Sequence, residues 1–392
     1  MSVFVTGMGI ISAIGNNVVE NLSSLQERRS GIRKTKLTCH PQEIYAAPVN
    51  LSDDDLRNRF QVSNTPHSRT SLLGIAAVAE AWGHNKHLPN VRTAFIGSTS
   101  VGGMDKTEKY YRQVLEGNSA DFSLVQTHDS GNTSEKIAHH FGIKGYINTL
   151  STACSSAANA LMLAARMLEH GHADRIVAGG SDPLTGFTIS GFQSLMIYDE
   201  DWCKPFDENR NGLNLGEGAA YLVLENEKSI SATGNKPLCL LKGWSNAADA
   251  YHQTASSPEG KGATLAMKNA IEKSGVALSD ISYINAHGTG TKNNDLSEST
   301  ALQNIFGKNI PPFSSTKAFT GHTLAAAGAI EAVYSVLSIV HQVLLPGLNY
   351  TNVMSETGLT PVTEYKPCQV NAVLSNSFGF GGNNTSLIFK KI

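Results

Sequence analysis

The sequence STACSS at residues 151–156 runs directly into AANALMLAARMLEHG at residues 157–171 and then into RIVAGGS at residues 175–181. The middle segment has the apolar periodicity of a helix, and the last segment is an apolar run typical of a buried strand. Cys154 therefore lies on the first turn of a predicted helix, where unpaired N–H groups and a partial positive charge favour a thiolate. Taken alone, the segment leaves two interpretations: a nucleophile, or a small buried side chain without chemistry.

Apolar runs and amphipathic segments alternate along the rest of the chain, which predicts an α/β fold with helices packed on sheets. A charged stretch at residues 225–236 separates two similar halves, which we place at residues 1–230 and 231–392. The predicted strands are residues 3–7, 93–98, 175–181, 220–225, 238–244, 282–288 and 371–377. The predicted helices include residues 70–82, the segment after Cys154, and residues 263–275 and 324–342.

Composition excludes several classes of protein. The net charge of -2 on 392 residues gives no general reason to expect a nucleic acid partner. The five cysteines contain no CxxC pair, which fits neither a disulfide framework nor a zinc ribbon and favours a reducing compartment. The N-terminal sequence lacks the basic region of a signal peptide, and we find no apolar run of about eighteen residues. We predict a cytoplasmic protein without a membrane span.

Two glycine-rich motifs resemble nucleotide-binding loops only in part. GMGIIS at residues 7–12 lacks the third glycine of a dinucleotide-binding turn, and no acidic residue ends a clear second strand about twenty positions later. HGTGTK at residues 287–292 ends in lysine but lacks the spacing of a phosphate-binding P-loop. Neither motif predicts a nucleotide cofactor.

Three polar segments each follow a predicted strand: STACSS, NAHGTGTKNNDLSE at residues 285–298, and STKAFTGHTLAAAGAIE at residues 315–331. They contribute Cys154, His287 and His322, a set of side chains suited to nucleophilic catalysis. A zinc site would need a fourth ligand and recognisable ligand spacing, and the sequence offers neither. We therefore predict no metal.

Together with KPFDENRNGLNLGEGA at residues 204–219 and NSFGFGGNN at residues 376–384, these motifs resemble the β-ketoacyl-acyl carrier protein synthases of the thiolase superfamily, most closely the synthase II type. The resemblance covers essentially the whole chain. It implies a thiolase-like five-layer αβαβα fold built of two similar halves. It also implies decarboxylative Claisen condensation of malonyl-acyl carrier protein with a Cys154-bound acyl chain, as in fatty-acid elongation.

The resemblance assigns the principal roles to four residues. Cys154 carries the acyl chain, while His287 and His322 are neutral imidazoles that donate N–H bonds to the enolate oxygen formed on decarboxylation. The backbone N–H groups of Cys154 and Phe380 hold the oxyanion of the acyl carbonyl. Phe380 is also the gate over the acyl pocket, with glycines on both sides that let it move.

Supporting roles follow from the same resemblance. Lys317 and Glu331 belong to the catalytic set as an ion pair that orients His322, because a buried ammonium needs a carboxylate partner. Asp295 and Glu298 are interpreted as structural carboxylates behind His287.

Three further residues are assigned to substrate binding. Thr289 and Thr291 hold the phosphopantetheine arm of the carrier protein, and Val101 helps to set the depth of the acyl pocket. Val101 stands where synthase II enzymes often carry isoleucine, which predicts room for a longer or stiffer chain.

The expected partner is an acyl carrier protein, with no cofactor other than its phosphopantetheine, and the subunit pairs either with itself or with a chain-length-factor-like homologue. Carrier proteins of this kind are acidic, so a docking surface should be basic. The candidates form two groups: Arg57, Arg59 and Arg69, and then Lys106, Lys109 and Arg112.

Three alternatives share the fold. The first alternative is a ketosynthase of a type II polyketide or polyene pathway, which works with a chain-length factor. Three departures from the synthase II pattern are more typical of that class: Leu150-Ser151, TKNND after His287, and Asn383-Asn384. A degradative thiolase would bring a second catalytic cysteine near the C-terminus, where this chain has SNSFGFGGNN. A non-catalytic partner subunit would lack the nucleophile, and Cys154 argues against that.

Overall fold

The computed structural model of the protein describes residues 2–63 and 65–392. The strands are β1 Phe4–Ser12, β2 Arg33–Lys36, β3 Glu43–Ala46, β4 Thr93–Ser98, β5 Ile147–Leu150, β6 Arg175–Asp182, β7 Gly218–Glu225, β8 Cys239–Ala248, β9 Ile281–Asn285, β10 Phe313–Ser314, β11 Val343–Leu344, β12 Lys366–Pro367, β13 Ala372–Gly379 and β14 Asn383–Lys390. The α-helices are α1 Val18–Gln26, α2 Asp53–Phe60, α3 Arg69–Trp82, α4 Met104–Leu115, α5 Ser130–His140, α6 Ser156–Glu169, α7 Gly186–Ser194, α8 Glu227–Thr233, α9 Lys261–Ser274, α10 Lys292–Phe306, α11 Lys317–Thr320 and α12 Ala327–His341.

The main sheet contains the same five-strand arrangement twice. In the first half the order is β5-β4-β6-β7-β1, and in the second half it is β10-β9-β13-β14-β8. Each half numbered by its own strands has the order 3-2-4-5-1, with parallel pairing among the first three positions and antiparallel pairing among the rest. The halves meet through a short antiparallel contact between β1 and β8. The predicted repeat of one plan is therefore confirmed.

Helices cover both faces of each half and form the expected five layers. The long helices α6 and α12 pack against each other and against strands of both halves, so they form the middle layer. Helix α3 packs on the outer face of β1, β7 and β6, whereas α9 packs on the outer face of β8 and β14. Because β6 and β7 are buried along their whole length, they show continuous apolar runs rather than alternation.

The segment Leu324–His341 is long and apolar enough to cross a membrane by length and composition alone. Glu331, Ser335 and Ser338 interrupt it, so it is not the uninterrupted apolar run that the sequence excludes. Of the residues in this segment, 89% are buried inside the protein, and α12 packs between the two halves of the main sheet. A helix that is apolar on all sides is what the middle layer of such a fold requires, because it packs against a sheet on each face.

The segments that carry the predicted site residues each follow the carboxyl end of a strand of the main sheet. Residue 154 follows β5, the loop with His287 follows β9, the segment with His322 follows β10, and the glycine-rich turn follows β13. These four strands belong to the parallel parts of the two halves, so the chain leaves each of them at its carboxyl end. Carboxyl ends of parallel strands are the usual place for sites in α/β folds.

The stretch between the halves is ordered rather than open. Helix α8 begins after Asn226, whose side chain accepts a hydrogen bond from the Ser229 backbone N–H, and the helix ends at Gly234 in a left-handed conformation. The boundary that we placed between residues 230 and 231 falls inside this helix. The division of the chain into residues 1–230 and 231–392 stays a prediction.

Candidate active site

Cys154 lies on a tight turn just before α6, not inside its first turn as expected. The helix begins at Ser156, with Ser155 as its N-terminal cap residue, and Ala153 has a positive φ of 52°. Such a conformation is unusual for a residue other than glycine and indicates a constrained turn. The turn presents the cysteine side chain, which is 5% exposed, to an internal cavity.

The ionisation of Cys154 differs from our expectation. Burial raises the pKa of this thiol to about 11, and this effect outweighs the lowering by Lys317 and by the backbone N–H groups of Phe380 and Cys154 itself. We expected the helix N-terminus to lower the pKa. The sulfur is a thiol at neutral pH because the free-energy cost of desolvating a thiolate is larger than the stabilisation that the helix end and the nearby donors give it.

His287 and His322 meet at the same cavity as Cys154. The two rings lie edge to face with centroids 5.4 Å apart, and both are almost fully buried. The cavity has a volume of about 350 Å³, and its lining includes Cys154, both histidines and Phe380. Burial lowers the pKa of both imidazoles well below 6.5, with further lowering by Lys317. At neutral pH both rings are therefore uncharged.

The histidine nitrogens are arranged to donate. Lys317 Nζ donates to His287 Nδ1 at 3.2 Å and to the His287 carbonyl oxygen at 2.5 Å. An ammonium group has only donors, so Nδ1 accepts and the ring proton is placed on Nε2. Neither ring nitrogen of His322 finds a hydrogen-bond partner within the described part of the chain. Buried donors without partners are unusual and indicate a place for a ligand atom.

The ion pair of Lys317 and Glu331 is present, but it contacts a different histidine from the one expected. Lys317 Nζ bonds to Glu331 Oε1, and both side chains are 2% exposed. Burial raises the pKa of Glu331 to about 7, against the lowering by Lys317. Through its bond to Nδ1 the lysine orients His287 rather than His322, because α11 begins at Lys317 and directs this side chain towards the loop after β9.

Asp295 and Glu298 stabilise the backbone of the loop that carries His287. Glu298 accepts from the backbone N–H groups of His287 and Gly288 at 2.9 and 2.8 Å. Asp295 accepts from the backbone N–H of Thr289 at 2.9 Å and from that of Phe206 at 2.8 Å. Burial raises the pKa of both carboxyl groups, to about 7 for Glu298. These contacts favour the structural interpretation of the pair.

Phe380 lies on the turn between β13 and β14, and its backbone N–H is directed at the sulfur of Cys154. Its ring stacks on Phe192 of α7, with centroids 5.7 Å apart. Gly379 lets the turn approach the nucleophile closely, because a Cβ there would lie 3.0 Å from the Thr152 carbonyl oxygen and 3.2 Å from the Cys154 nitrogen. Gly381 has a φ of 80°, a conformation that favours glycine.

The three residues assigned to substrate binding separate into two groups. Thr289 and Thr291 line the cavity, and their hydroxyl oxygens are 2.9 Å apart. Val101 lies outside the set of described residues that line this cavity. It is buried on the loop after β4, where its backbone N–H is 3.4 Å from Asp182 Oδ1. In this single subunit Val101 makes no contact with the cavity, so its role in setting the depth of the pocket stays a prediction.

Two of the candidate docking residues are held in internal ion pairs, which corrects our expectation. Arg69 bonds to Glu217 at 2.6 Å and to Asp53 at 2.9 Å, and its side chain is 17% exposed. Lys106 bonds to Asp53 at 2.6 Å and to Asp105 at 3.2 Å. Their charge is neutralised within the subunit. Among the other candidates, Arg59, Lys109 and Arg112 are exposed and Arg57 is half-buried.

Sequence analysis missed two residues that hold the site together. Asp182, at the end of β6, accepts from Thr99 Oγ1 at 2.5 Å and from the Ala325 backbone N–H at 2.8 Å, and burial raises its pKa to about 6. The Asn214 carbonyl oxygen accepts from the His322 backbone N–H at 2.7 Å. Both residues are far in sequence from the groups they hold, and no local pattern marks them.

Two family models match the chain in succession. The N-terminal domain of β-ketoacyl synthases matches residues 1–229, and the C-terminal domain matches residues 238–351. The chain belongs to the β-ketoacyl synthase family. Members of this family are acyltransferases that form carbon–carbon bonds by condensation.

Curated relatives agree with this assignment over nearly the full length. The chain is 34% identical to the 3-oxoacyl-[acyl-carrier-protein] synthase 2 of Staphylococcus aureus strain COL, over 99% of this chain and 98% of the relative. It is 33% identical to the protein of the same name from Synechocystis sp., with 99% and 98% covered.

Solved structures of related chains have the same fold. A ketosynthase in complex with its chain length factor from Xenorhabdus doucetiae matches with a TM-score of 0.89 at 32% identity, covering 100% of this chain and 98% of that chain. The ishigamide ketosynthase/chain length factor matches with a TM-score of 0.91 at 27% identity, covering 100% and 99%. The thiolase-like α/β fold of the β-ketoacyl synthases is thereby confirmed for this chain.

Proposed function

We propose that this chain is a β-ketoacyl-acyl carrier protein synthase that condenses a Cys154-bound acyl chain with malonyl-acyl carrier protein. The observation that carries the proposal is the convergence of three groups on one cavity: a buried thiol, two neutral imidazoles with a free N–H position, and a backbone N–H aimed at the sulfur. This set matches the needs of acyl transfer followed by enolate formation, and the family membership agrees with it.

The first step is transfer of the acyl group to the enzyme. The Cys154 sulfur attacks the carbonyl carbon of an acyl thioester, the carbon–sulfur bond to phosphopantetheine breaks, and the thiol proton passes to the leaving sulfur. The backbone N–H groups of Cys154 and Phe380 stabilise the oxyanion of the tetrahedral intermediate, and their position beside the Cys154 sulfur supports this role. Because the resting thiol is protonated, attack requires its proton to leave as the new bond forms.

The second step forms the carbon–carbon bond. The malonyl carbon–carboxylate bond breaks, carbon dioxide leaves, and the electron pair forms an enolate whose oxygen accepts N–H bonds from His287 Nε2 and His322. The enolate carbon then attacks the acyl carbonyl, and the carbon–sulfur bond to Cys154 breaks. The Cys154 thiolate takes up one proton from solvent as the β-ketoacyl thioester leaves, which restores the thiol. Neutral imidazoles suit this role because they donate without an added charge.

These steps need no cofactor beyond the phosphopantetheine of the carrier, and we infer a cytoplasmic enzyme that works with an acyl carrier protein. Thr289 and Thr291 line the cavity, which supports a role for their hydroxyl groups in holding the phosphopantetheine arm. Among the described residues, no three His, Cys, Asp or Glu side chains are grouped closely enough to hold a metal ion.

A second candidate function is chain extension in a type II polyketide or polyene pathway. It is supported by the two solved structures described above, in which the matching chain belongs to a ketosynthase and chain length factor. In that case the subunit would pair with a chain-length-factor-like homologue instead of with itself. The identity to synthase 2 enzymes keeps fatty-acid-type elongation as the broader description.

Intact-protein mass spectrometry tests the proposal. Incubation with an acyl-acyl carrier protein should add one acyl group to the wild-type chain, and Cys154→Ala should abolish this addition. His287→Ala and His322→Ala should still become acylated but should form no β-ketoacyl product with malonyl-acyl carrier protein. A wild-type chain that gains no acyl mass from any carrier-bound chain would contradict the proposal.

A further inference from the structure

A cluster of amide and hydroxyl side chains lies directly behind the nucleophile. Asn383 Oδ1 accepts from Ser155 Oγ at 2.7 Å, from Asn159 Nδ2 at 2.8 Å and from Asn246 Nδ2 at 2.6 Å. Thr385 Oγ1 donates to Asn159 Oδ1 at 2.8 Å and accepts from Asn246 Nδ2 at 2.9 Å. We call these five residues the amide cluster.

The amide cluster connects the nucleophile helix α6 to strands β8 and β14. Ser155 and Asn159 stand on the nucleophile helix α6, Asn246 stands on β8, and Asn383 and Thr385 stand on β14. Asn383 is the first residue of β14 and follows directly on the gate turn at residues 379–382. The cluster thus ties one end of the gate turn to the helix that carries the nucleophile.

A second contact holds the cluster to the nucleophile turn itself. Asn159 Nδ2 donates to Thr152 Oγ1 at 2.9 Å, and the Thr152 carbonyl oxygen lies 2.8 Å from Ser155 Oγ, so it shares the single Ser155 hydroxyl proton with Asn383 Oδ1. A buried polar network whose members are satisfied fixes a single arrangement, because each broken bond leaves an unpaired group in a low-dielectric interior. The other end of the gate turn, Gly379, packs against the Thr152 carbonyl oxygen and the Cys154 backbone.

We propose that the amide cluster is a positioning device for the gate, in which Asn383 fixes the turn so that the Phe380 N–H remains on the reacting sulfur. The gate has glycines at three of its four positions, and two of them have a positive φ, so the turn carries little conformational restraint of its own. Backbone bonds to Gln253 and Asp249 hold the outer part of the turn, from the Gly381 N–H to the Gln253 carbonyl oxygen and from the Asp249 N–H to the Gly382 carbonyl oxygen, both at 2.7 Å. The restraint towards the nucleophile helix comes from Asn383, whose side chain is anchored by three donors. Asn383 is a positioning residue and acts through Phe380.

The inference rests on the proposed function, because it concerns the donor that stabilises the oxyanion of acyl transfer. Loss of a whole oxyanion donor costs roughly a hundredfold or more in rate, so a loosened donor should cost less. None of the five cluster residues lines the cavity that would receive the thioester. We therefore expect the cluster to affect the rate of acyl transfer and to leave the apparent affinity for the thioester unchanged.

Two variants break the cluster with little change in size. Asn383→Leu removes the acceptor of three bonds, and Thr385→Val removes the hydroxyl that joins Asn159 and Asn246. The matched control is Asn226→Leu, which removes another buried asparagine, the cap of α8, remote from the gate. Thermal unfolding of the four proteins shows how far each substitution affects stability in general.

The assay follows acylation of Cys154 by a short acyl thioester of N-acetylcysteamine, which requires no carrier protein. Asn383→Leu should lower kcat about tenfold with KM within about twofold of the wild type, and Thr385→Val should lower kcat about threefold. The double variant should lose no more than Asn383→Leu alone, because both changes break one network. Asn226→Leu should lower the unfolding temperature and leave kcat unchanged.

Alkylation of Cys154 by iodoacetamide gives a readout that does not depend on acyl chemistry. Both cluster variants should react about threefold faster or more, because a loosened gate exposes the buried sulfur more often. If the wild type is not acylated but the variants alkylate faster, the proposed function fails and the positioning role stands. Cluster variants whose acylation and alkylation rates stay at the wild-type level, with losses of stability like that of Asn226→Leu, would overturn the positioning role.

Discussion

At the scale of single residues, the charge state of the site is set mainly by burial. Burial keeps Cys154 protonated against the opposing effect of Lys317, whereas burial and the positive charge of Lys317 together keep both histidines neutral. The lysine also determines which nitrogen of His287 carries the proton. One buried ammonium therefore prepares His287 as a donor while Glu331 balances its charge.

A neutral buried histidine makes stability depend on pH in a definite direction. The folded-state pKa of His322 lies well below 6.5, so the unfolded chain binds a proton there that the folded chain excludes. The stability that the folded protein gains from an uncharged His322 is therefore lost as the pH falls below about 6.5. We expect the difference in unfolding free energy between the wild type and His322→Leu to shift in favour of the variant by about 1.4 kcal/mol per pH unit between pH 6 and 5.

Urea unfolding of both proteins at pH 5, 6, 7 and 8 measures this difference. Because only the difference is used, other titrating groups such as Glu298 cancel between the two proteins. Above pH 7 the two stability curves should run parallel, with the constant offset that the substitution itself causes. Curves that stay parallel down to pH 5 would mean that His322 takes up its proton equally in the folded and unfolded states, contrary to the lowered folded-state pKa described here.

At the scale of elements, the site depends on two turns that approach each other. The turn at Cys154 precedes α6, and the gate turn joins β13 to β14, so each belongs to a different half of the fold. Their contact is so close that a Cβ at Gly379 would lie 3.0 Å from the Thr152 carbonyl oxygen, so the neighbouring backbone would have to shift to admit a side chain. The small residues around Cys154 and the glycines of the gate therefore serve close approach of backbone to backbone.

Two glycine substitutions separate contact from conformation. Gly379 has an ordinary extended backbone, so Gly379→Ala should cost little local strain but should displace the gate from the nucleophile turn. Gly381 has a φ of 80° and open space around it, so Gly381→Ala should cost about 1–2 kcal/mol in backbone strain without a clash. We expect Gly379→Ala to slow acylation of Cys154 by about tenfold or more, measured by mass spectrometry.

Gly381→Ala is the matched control for this experiment, since it adds the same methyl group two residues away. Its unfolding free energy should fall more than that of Gly379→Ala, while its acylation rate should fall less. The reverse ranking in acylation would indicate that gate flexibility at Gly381, and not close approach at Gly379, limits the reaction.

The sequence predicts elements and chemistry well where the signal is local. Apolar runs and periodicity located the helix after Cys154 and seven of the ten strands of the main sheet, but not β5, β10 or β14. The motifs located the three side chains that meet at the cavity. The choice of His287 over His322 as the partner of Lys317 depends on side-chain direction after β10, which no local pattern encodes. The thiol's pKa likewise depends on burial by residues from both halves, so the helix end alone gave the wrong sign.

At the scale of the whole molecule, the internal repeat explains how one site is assembled from distant segments. Each half supplies the carboxyl ends of its parallel strands, and the buried helices α6 and α12 hold the halves together. The first half contributes the nucleophile, and the second contributes both histidines and the gate. The surface outside this site must then receive the carrier protein that delivers the acyl chain.

The basic side chains on α4 provide a test of carrier docking. Lys109 and Arg112 are exposed, whereas Arg69 is bound to Glu217 inside the subunit. The double charge reversal Lys109→Glu/Arg112→Glu should raise KM for the acyl carrier protein several-fold, with kcat unchanged and a weaker dependence on salt. Arg69→Ala should instead lower the unfolding free energy by about 3 kcal/mol, because it leaves a buried carboxylate unpaired.

The small acyl thioester serves as the control, since its KM should not respond to the charge reversal. An unchanged KM for the carrier in the double variant would place the docking surface elsewhere, with Arg57 and Arg59 on α2 as the remaining candidates.

The final prediction concerns which chain is extended and which subunit pairs with this one. The cavity of a single subunit ends without contact to Val101, and the relatives include both synthase 2 enzymes and ketosynthases paired with a chain length factor. If fatty-acid-type elongation is the activity, the purified protein alone should extend saturated acyl-carrier substrates efficiently and ignore conjugated ones. Turnover only in the presence of a co-purifying homologue, with conjugated chains preferred, would instead assign the chain to polyene or polyketide extension. Measuring turnover of saturated and conjugated substrates, each with and without the homologue, decides between the two pathways. Fatty-acid-type elongation predicts activity on saturated chains by the protein alone, whereas polyene or polyketide extension predicts activity on conjugated chains with the homologue present.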